Sequence, residues 1–457
     1  MPRPRSDAAP AQGRSPWLWV LVGAAVFTQT GLNLLRPVTS YKLLDFGADA
    51  TAIGIATAAY AVIPLVVAVW MGRLSDRVIR LRFLLLAGAV LLGLGGAGLA
   101  VAPGLAGVIV ASTVLGFGHL LFTIAGQSSI ARYSAPHQLD AGFGWFTAAY
   151  STGQLLGPLA GGLLLGGGGV EGRADAVNLA LWVGAVVAAA GGLLLIAPLP
   201  GSPRDRRTES PGPAAPGTAD PGTADPAAQG TGNRAQSGGG DQPPSGADRV
   251  LSGAAADPGK PTVWRILRIP GLPSIMLGAL SLLAMLDILT AFLPVVGEEL
   301  GVGPEVVGFL LAMRAGASIV CRSMLPWLVR RFSRRRLMLW CLFGAGVTLA
   351  LPPLALAWWP GLAGVIVAGA LLVVGGFFLG IGQPLSMSAI SQSVPGSWRG
   401  SALAVRLMGN RAGQVAMPLL AGLVAAPWGP AGAIWLSCAL LGWAGWAEVR
   451  RPRSDTT

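Results

Sequence analysis

The chain is built of long apolar stretches separated by short polar ones. Phe83–Ala131, Ala141–Val170 and Leu337–Trp398 contain no Asp, Glu, Lys or Arg. A helix of about 20 apolar residues crosses a bilayer. The first and third stretches are too long for one crossing, and each holds one turn signal: Pro103–Gly104 and Trp358–Trp359–Pro360–Gly361. Read this way, the pattern predicts twelve membrane-spanning helices, at 17–36, 50–71, 83–102, 106–130, 141–165, 176–198, 271–296, 304–328, 337–357, 362–392, 400–426 and 430–447. The first follows Arg3, Arg5 and Arg14 as a signal sequence would. It is longer than a signal core and leads into further spans, so an uncleaved helix is expected.

One segment breaks the pattern. Residues 200–262 are rich in Pro, Gly, Ala, Ser and Asp and carry the tandem "PGTADPGTAD". Such a composition cannot bury a core, so a disordered linker is expected. It divides the chain into a tail (1–16), a six-helix bundle (17–199), the linker, a second six-helix bundle (263–447) and a tail (448–457). "VWRILR", just after the linker, reads as a short amphipathic piece on the membrane surface. The halves are also related by sequence. Shifted by 254 positions, Asn33–Arg82 meets Asp287–Arg336 without a gap, pairing Gly47 with Gly301, Gly54 with Gly308 and Arg82 with Arg336. "LGFGHL" (115–120) meets "LGIGQP" (379–384), and "GQLLGPL" (153–159) meets "GQVAMPL" (413–419). Two related bundles with a site between them are a common plan for transporters.

Composition and charge narrow this. The chain is 53% hydrophobic and 11% charged, with mean hydropathy +0.62, too apolar for a soluble protein of several domains. Its net charge of +12 is not spread as a nucleic-acid footprint would be. Of 32 Lys and Arg, 25 fall on the tails and alternate loops, and the opposite loops hold only Lys42 and Arg173. This bias places both tails and the 200–262 loop in the cytoplasm and brings the basic groups to anionic lipid headgroups. Three cysteines lie within spans, where packing is their expected role, and the two histidines, His119 and His137, exclude a multi-histidine metal site. There is no Walker loop, no HExxH and no nucleophile elbow. No enzyme, cofactor or nucleic-acid partner is expected.

"GRLSDRVIRLR", Gly72–Arg82, resembles the signature loop of the major facilitator superfamily: Gly72, three residues, Asp76, Arg77, then further basic residues. Ile79 stands where that loop usually has glycine. The second half has "RRFSRRR", which reads equally as a solvated basic patch. "GWFTAAYSTGQLLGPLAGG" is similar to the span-five signature of the drug/proton antiporter branches of that family, with Gly144, Gly153, Gly157, Pro158, Gly161 and Gly162 at its defining positions. Proline removes a backbone donor and kinks a helix, and small residues permit close helix contact, here expected against a helix of the other half. The resemblance implies twelve helices in two pseudo-symmetric bundles, a monomer, and alternating access. It also implies plasma-membrane export of a small amphipathic or anionic compound in exchange for protons, with import or a sensor role as the alternatives. Asp76 and Arg77 would hold the cytoplasmic side shut.

In that family spans one, four, seven and ten line the central cavity. Here those spans carry Gln29, Asn33 and Arg36; His119, Thr123 and Gln127; Asp287; and Gln383, Ser386 and Ser391. Each polar group is either a cavity contact or an interhelical hydrogen bond worth ~0.6 kcal/mol. Charges within a span are more telling, at roughly 2.5–3.5 kcal/mol each. Asp287 is the acid deep in a span, against Arg36, Arg314, Arg406 and Arg411, while Arg322 is expected to snorkel. The surplus of positive charge fits either an anionic substrate or arginines bonded to helix carbonyls and waters. Depth along antiparallel neighbours predicts an Asp287–Arg314 pair, with Asp287 as proton-coupling acid. Many antiporters carry an arginine four residues before the span-four GxG, where this chain has Ser112. His119, beside Gly116–Phe117–Gly118, is the second coupling candidate because imidazole titrates near neutral pH.

Overall fold

The computed structural model describes residues 16–77, 81–134, 138–167, 172–196, 263–394 and 398–451. The 200–262 linker and both tails, up to residue 15 and from residue 452, lie outside the described residues. Twelve long helices are present: α1 (Pro16–Asp45), α2 (Ala50–Arg77), α3 (Leu81–Val101), α4 (Leu105–Tyr133), α5 (Leu139–Gly166) and α6 (Arg173–Leu194) in the first half; α7 (Leu272–Glu299), α8 (Pro304–Arg331), α9 (Arg334–Ala350, continued by Pro352–Trp358), α10 (Leu362–Gln392), α11 (Arg399–Trp428) and α12 (Pro430–Val449) in the second. In the first half α1 packs on α5 and α6, α4 on α2 and α3, and α3 on α6; in the second α10 packs on α8 and α9, and α12 on α7 and α9. Two six-helix bundles result.

The expected twelve spans and the observed helices correspond, with one instructive difference. The first was expected over 17–36, but α1 runs on to Asp45 with Pro37 inside it. Pro37 costs one backbone bond, and the last turns are held by buried Lys42. Its ammonium donates to Asn178 Oδ1 at 2.6 Å and to Ala100 O at 3.4 Å. Lys42 is therefore a helix residue, not a loop residue. Arg36 lies nine residues inside the helix end.

The sequence repeat is a repeat of backbone. The α1–α2 turn puts Gly47 at φ +68°, and the α7–α8 turn puts Gly301 at +67°, a conformation that favours glycine. Ala48 N bonds Leu43 O at 3.0 Å, as Val302 N bonds Gly297 O at 2.7 Å.

The halves meet through α2 against α11 and α5 against α8, with α1 facing α7. Ten of the twelve helices are long and apolar enough to cross a membrane by composition. The other two are α5, rich in glycine and polar residues, and α11, which carries Arg406 and Arg411. Both sit at the interface between halves, where protein rather than lipid covers much of the helix. Before α7, the five-residue helix Val263–Leu267 buries Ile266 and exposes Trp264. The guanidinium of Arg268 stands 5.3 Å from the Trp264 ring, and that of Arg265 5.6 Å from the Trp398 ring.

Candidate functional site

The span-five signature divides its work. A β-carbon on Gly157 would stand 2.6 Å from the carbonyl carbon of Asn33, and one on Gly153 would collide with Gln29. Both glycines therefore seat α5 on α1 of its own half, not against the other half as expected. Gly161 also faces α1, where a β-carbon would lie 3.2 Å from Val38 Cγ2. Pro158 and Gly162 reach the second half. The Pro158 carbonyl abuts Gly308, and a β-carbon on Gly162 would lie 2.8 Å from Pro304 O and 3.0 Å from Gly308 Cα. Gly144 meets nothing and is exposed. The repeat builds a matching crossing on the other flank. There Gly54 abuts the Pro418 carbonyl, and its β-carbon would lie 3.1 Å from Gly422 Cα.

These crossings sit on the face opposite the chain termini. On that face Arg173 joins Asp45 of α1 at 3.1 Å and also pairs with Glu298 of α7. Described contacts between the halves run outward from mid-depth, where Arg322 Nη1 donates to Ser151 Oγ at 2.5 Å. Arg322 does not snorkel; it bonds across the interface. Toward the termini the halves part, and Gln127 of α4 and Met387 of α10 are exposed. The gate residues Gly72, Asp76 and Arg77 and the cavity candidate Ser391 have side chains outside the described residues.

At mid-depth a polar chain crosses between the bundles. Arg36 Nη2 donates to Asp287 Oδ1 at 2.7 Å, and Gln414 Nε2 donates to Oδ2 at 2.9 Å. Arg411 Nη1 in turn donates to Gln414 Oε1 at 2.8 Å. The expected Asp287–Arg314 pair is not formed. Neighbours in sequence are poor neighbours here: α8 packs on α5 and α10, whereas α7 faces α1 and α11. Behind Arg36, whose guanidinium lies 4.9 Å from the Tyr60 ring centroid, the Tyr60 hydroxyl and His119 Nδ1 share a hydrogen bond. Thr123 Oγ1 donates to His119 O and pairs with the Tyr150 hydroxyl, both at 2.7 Å. His119 Nε2 is buried without a partner. On the far side of Arg36 from the termini, a small cavity is lined by Thr39, Ser40, Thr57, Tyr60, Ser112 and Thr290.

The other candidates form separate groups. Asn33 Nδ2 donates to Gln29 O at 2.8 Å, so this pair is internal to α1. Arg406 Nη2 donates to Gln383 Oε1 at 2.7 Å and to Ser386 Oγ at 3.1 Å, within the second half. Arg406 and Arg411 thus find side chains, not helix carbonyls. Tyr60, Tyr150 and Gln414 were missed. The tyrosines left a signal, since the chain has only four and these two stand mid-span. Gln414 lies in "GQVAMPL", a block that served only to relate the two halves.

The profile of the Major Facilitator Superfamily matches residues 21–370 and 275–456, which together take in nearly the whole chain. The chain belongs to the Major Facilitator Superfamily. No curated protein matches the sequence. Among solved structures, a D-xylose–proton symporter superposes with TM-score 0.67 at 15% identity, covering 97% of this chain and 98% of that one. The nucleoside transporter NupG gives 0.66 at 13%, covering 94% and 98%. A peptide transporter, POT, in complex with sulfate gives 0.64 at 15%, covering 96% and 95%. At these identities the likeness is one of fold. Membership of the superfamily makes this chain an integral membrane transporter rather than an enzyme, one that moves a small molecule.

Proposed function

We propose that the protein is a secondary active transporter of the plasma membrane that exports a small amphipathic or anionic organic compound in exchange for protons. The observation that supports coupling is the Arg36–Asp287 ion pair, which joins the two bundles at mid-depth. The positive-inside bias puts the termini in the cytoplasm, so the conformation described is closed outside and open inside. Protonating Asp287 removes the negative charge that holds Arg36 and weakens the acceptor used by Gln414. The pair is remade when Asp287 gives up its proton to the inner side, which is open here. A proton taken up while the outer side is open and released while the inner side is open would move inward as substrate moves outward. Export, rather than import, is supported by the span-five spacing.

The test is Asp287→Asn in proteoliposomes. Accumulation driven by an imposed pH gradient should vanish, while exchange of substrate down its own gradient survives. Accumulation against a gradient with unchanged pH dependence would remove Asp287 as the coupling acid and turn attention to His119. An uncoupler decides direction: cellular substrate should rise when the proton gradient is collapsed.

A further inference from the structure

Five arginines enter the membrane interior: Arg36, Arg314, Arg322, Arg406 and Arg411. Among the described residues one deep carboxylate, Asp287, answers them, and Arg36 takes it. Arg322, Arg406 and Arg411 use neutral partners: Ser151, Gln383 with Ser386, and Gln414. Arg314 is the exception. It is 4% exposed, and its Nε and Nη1 are buried with no hydrogen-bond partner. A buried guanidinium without a counter-charge is strongly unfavourable, so its retention needs a reason.

Two further observations give one. Arg314 belongs to the central cluster, since it lies within electrostatic reach of Arg36, Asp287 and Arg322. Its position is also fixed. Ser318 Oγ donates to Arg314 O at 3.2 Å and to Gly376 O at 2.6 Å, and Gly376 packs directly on the Arg314 carbonyl. The backbone of α8 is therefore clamped to α10, and the guanidinium is held in place before anything binds. The unpartnered buried atoms of the mid-span residues are mostly donors, Gln29 Nε2, Arg322 Nε, Gln383 Nε2, Arg406 Nε and Arg411 Nε as well as those of Arg314, beside the acceptor Asn410 Oδ1 and two atoms that can act either way, Thr30 Oγ1 and His119 Nε2. A molecule that satisfied Arg314 and these donors would bring acceptors and negative charge.

We propose that Arg314 anchors the anionic group of the transported molecule, an organic oxyanion such as a carboxylate, with Arg322 on the same helix as its second positive charge. This deepens the transport reading and rests on it. Asp287 stays with Arg36, so anion and proton occupy neighbouring groups rather than the same one.

The experiment measures thermal stabilisation of the purified full chain by matched pairs: benzoate and benzamide, hexanoate and hexanamide, with phenylphosphonate and inorganic sulfate as other oxyanions. The carboxylates should stabilise the protein and the amides should not. Stabilisation by phenylphosphonate or sulfate in addition to the carboxylates would extend the site to oxyanions in general and still supports an anion anchor; stabilisation by sulfate without the carboxylates would overturn the organic anchor. Arg314→Gln should weaken the response about tenfold or more, the scale of losing one partner of a buried charged contact. Arg314→Lys keeps the charge and should retain the preference for carboxylate over amide; it carries the test if the glutamine variant does not fold. Equal response to carboxylate and amide in the wild type, or carboxylate binding unchanged in Arg314→Gln, would overturn the proposal. Uptake of the same compounds is followed in parallel. Arg314-dependent binding without uptake would remove the transport reading and leave the anion site, whereas uptake of neutral amides independent of Arg314 would do the reverse.

Discussion

At the scale of single residues, the site is a problem of placing charge where water is scarce. Asp287 is tolerated because Arg36 and Gln414 each take one of its oxygens. Removing one partner of a buried ion pair leaves a bare charge and costs about 3–5 kcal/mol, while removing both is far milder. Arg36→Gln should therefore lower the thermal stability of the purified protein clearly, and Arg36→Gln with Asp287→Asn should recover much of it. A single variant as stable as the wild type would mean that the pair is solvated. Asp287 itself was legible in the sequence, as the deep acid of an apolar span. Its partner was not, because helix depth restricts which residues share a level but not which helices face each other.

At the scale of elements, two glycines five residues apart in one motif serve different neighbours. Gly157 seats α5 on α1; Gly162 seats α5 on α8 of the other half. A leucine at each should act differently. Gly157→Leu disturbs a contact within the first bundle, so less folded protein should reach the membrane, and transport should fall with it. Gly162→Leu disturbs only the closed outer contact. Folding should be preserved, and spin labels on the outer ends of α5 and α8 should report a longer separation by electron-spin distance measurement. An unchanged distance in Gly162→Leu would show that α8 yields locally instead. The motif was readable as close packing from its spacing. Which face each glycine occupies was not, since positions 157, 161 and 162 all fall within a turn and a half of helix.

At the scale of the molecule, the face opposite the chain termini carries a second ionic link, Arg173 with Asp45 and Glu298. It is partly exposed, so its contribution is small and screened by salt. Arg173→Ala should leave folding intact and shift the resting population toward outward opening, seen as faster labelling of a cysteine placed at Thr51, which touches Gly422 O across the halves. Equal labelling rates would assign the closure to the helix crossings alone. The linker offers a separate prediction from composition. Reduced to ~20 flexible residues, a r.m.s. reach of roughly 25 Å remains, so a shortened chain should still insert and transport. Loss of both would show that the segment has a structural role.

What the sequence determined by itself was the solvent of each segment and the symmetry of the whole. Apolar runs define the spans because every backbone group in a bilayer must be satisfied within a helix. The shift of 254 positions foretold matching turns at Gly47 and Gly301 and matching crossings at Gly54 and Gly308. What tertiary structure alone decided was partnership between helices: Arg36 rather than Arg314 for Asp287 and Ser151 for Arg322 across the central gap, and Tyr60 for His119 within the first bundle. Those choices follow from the packing of α8 on α5 and α10 and of α1 opposite α7. Periodicity along a helix records which residues share a face; it does not record which helix stands in front of that face.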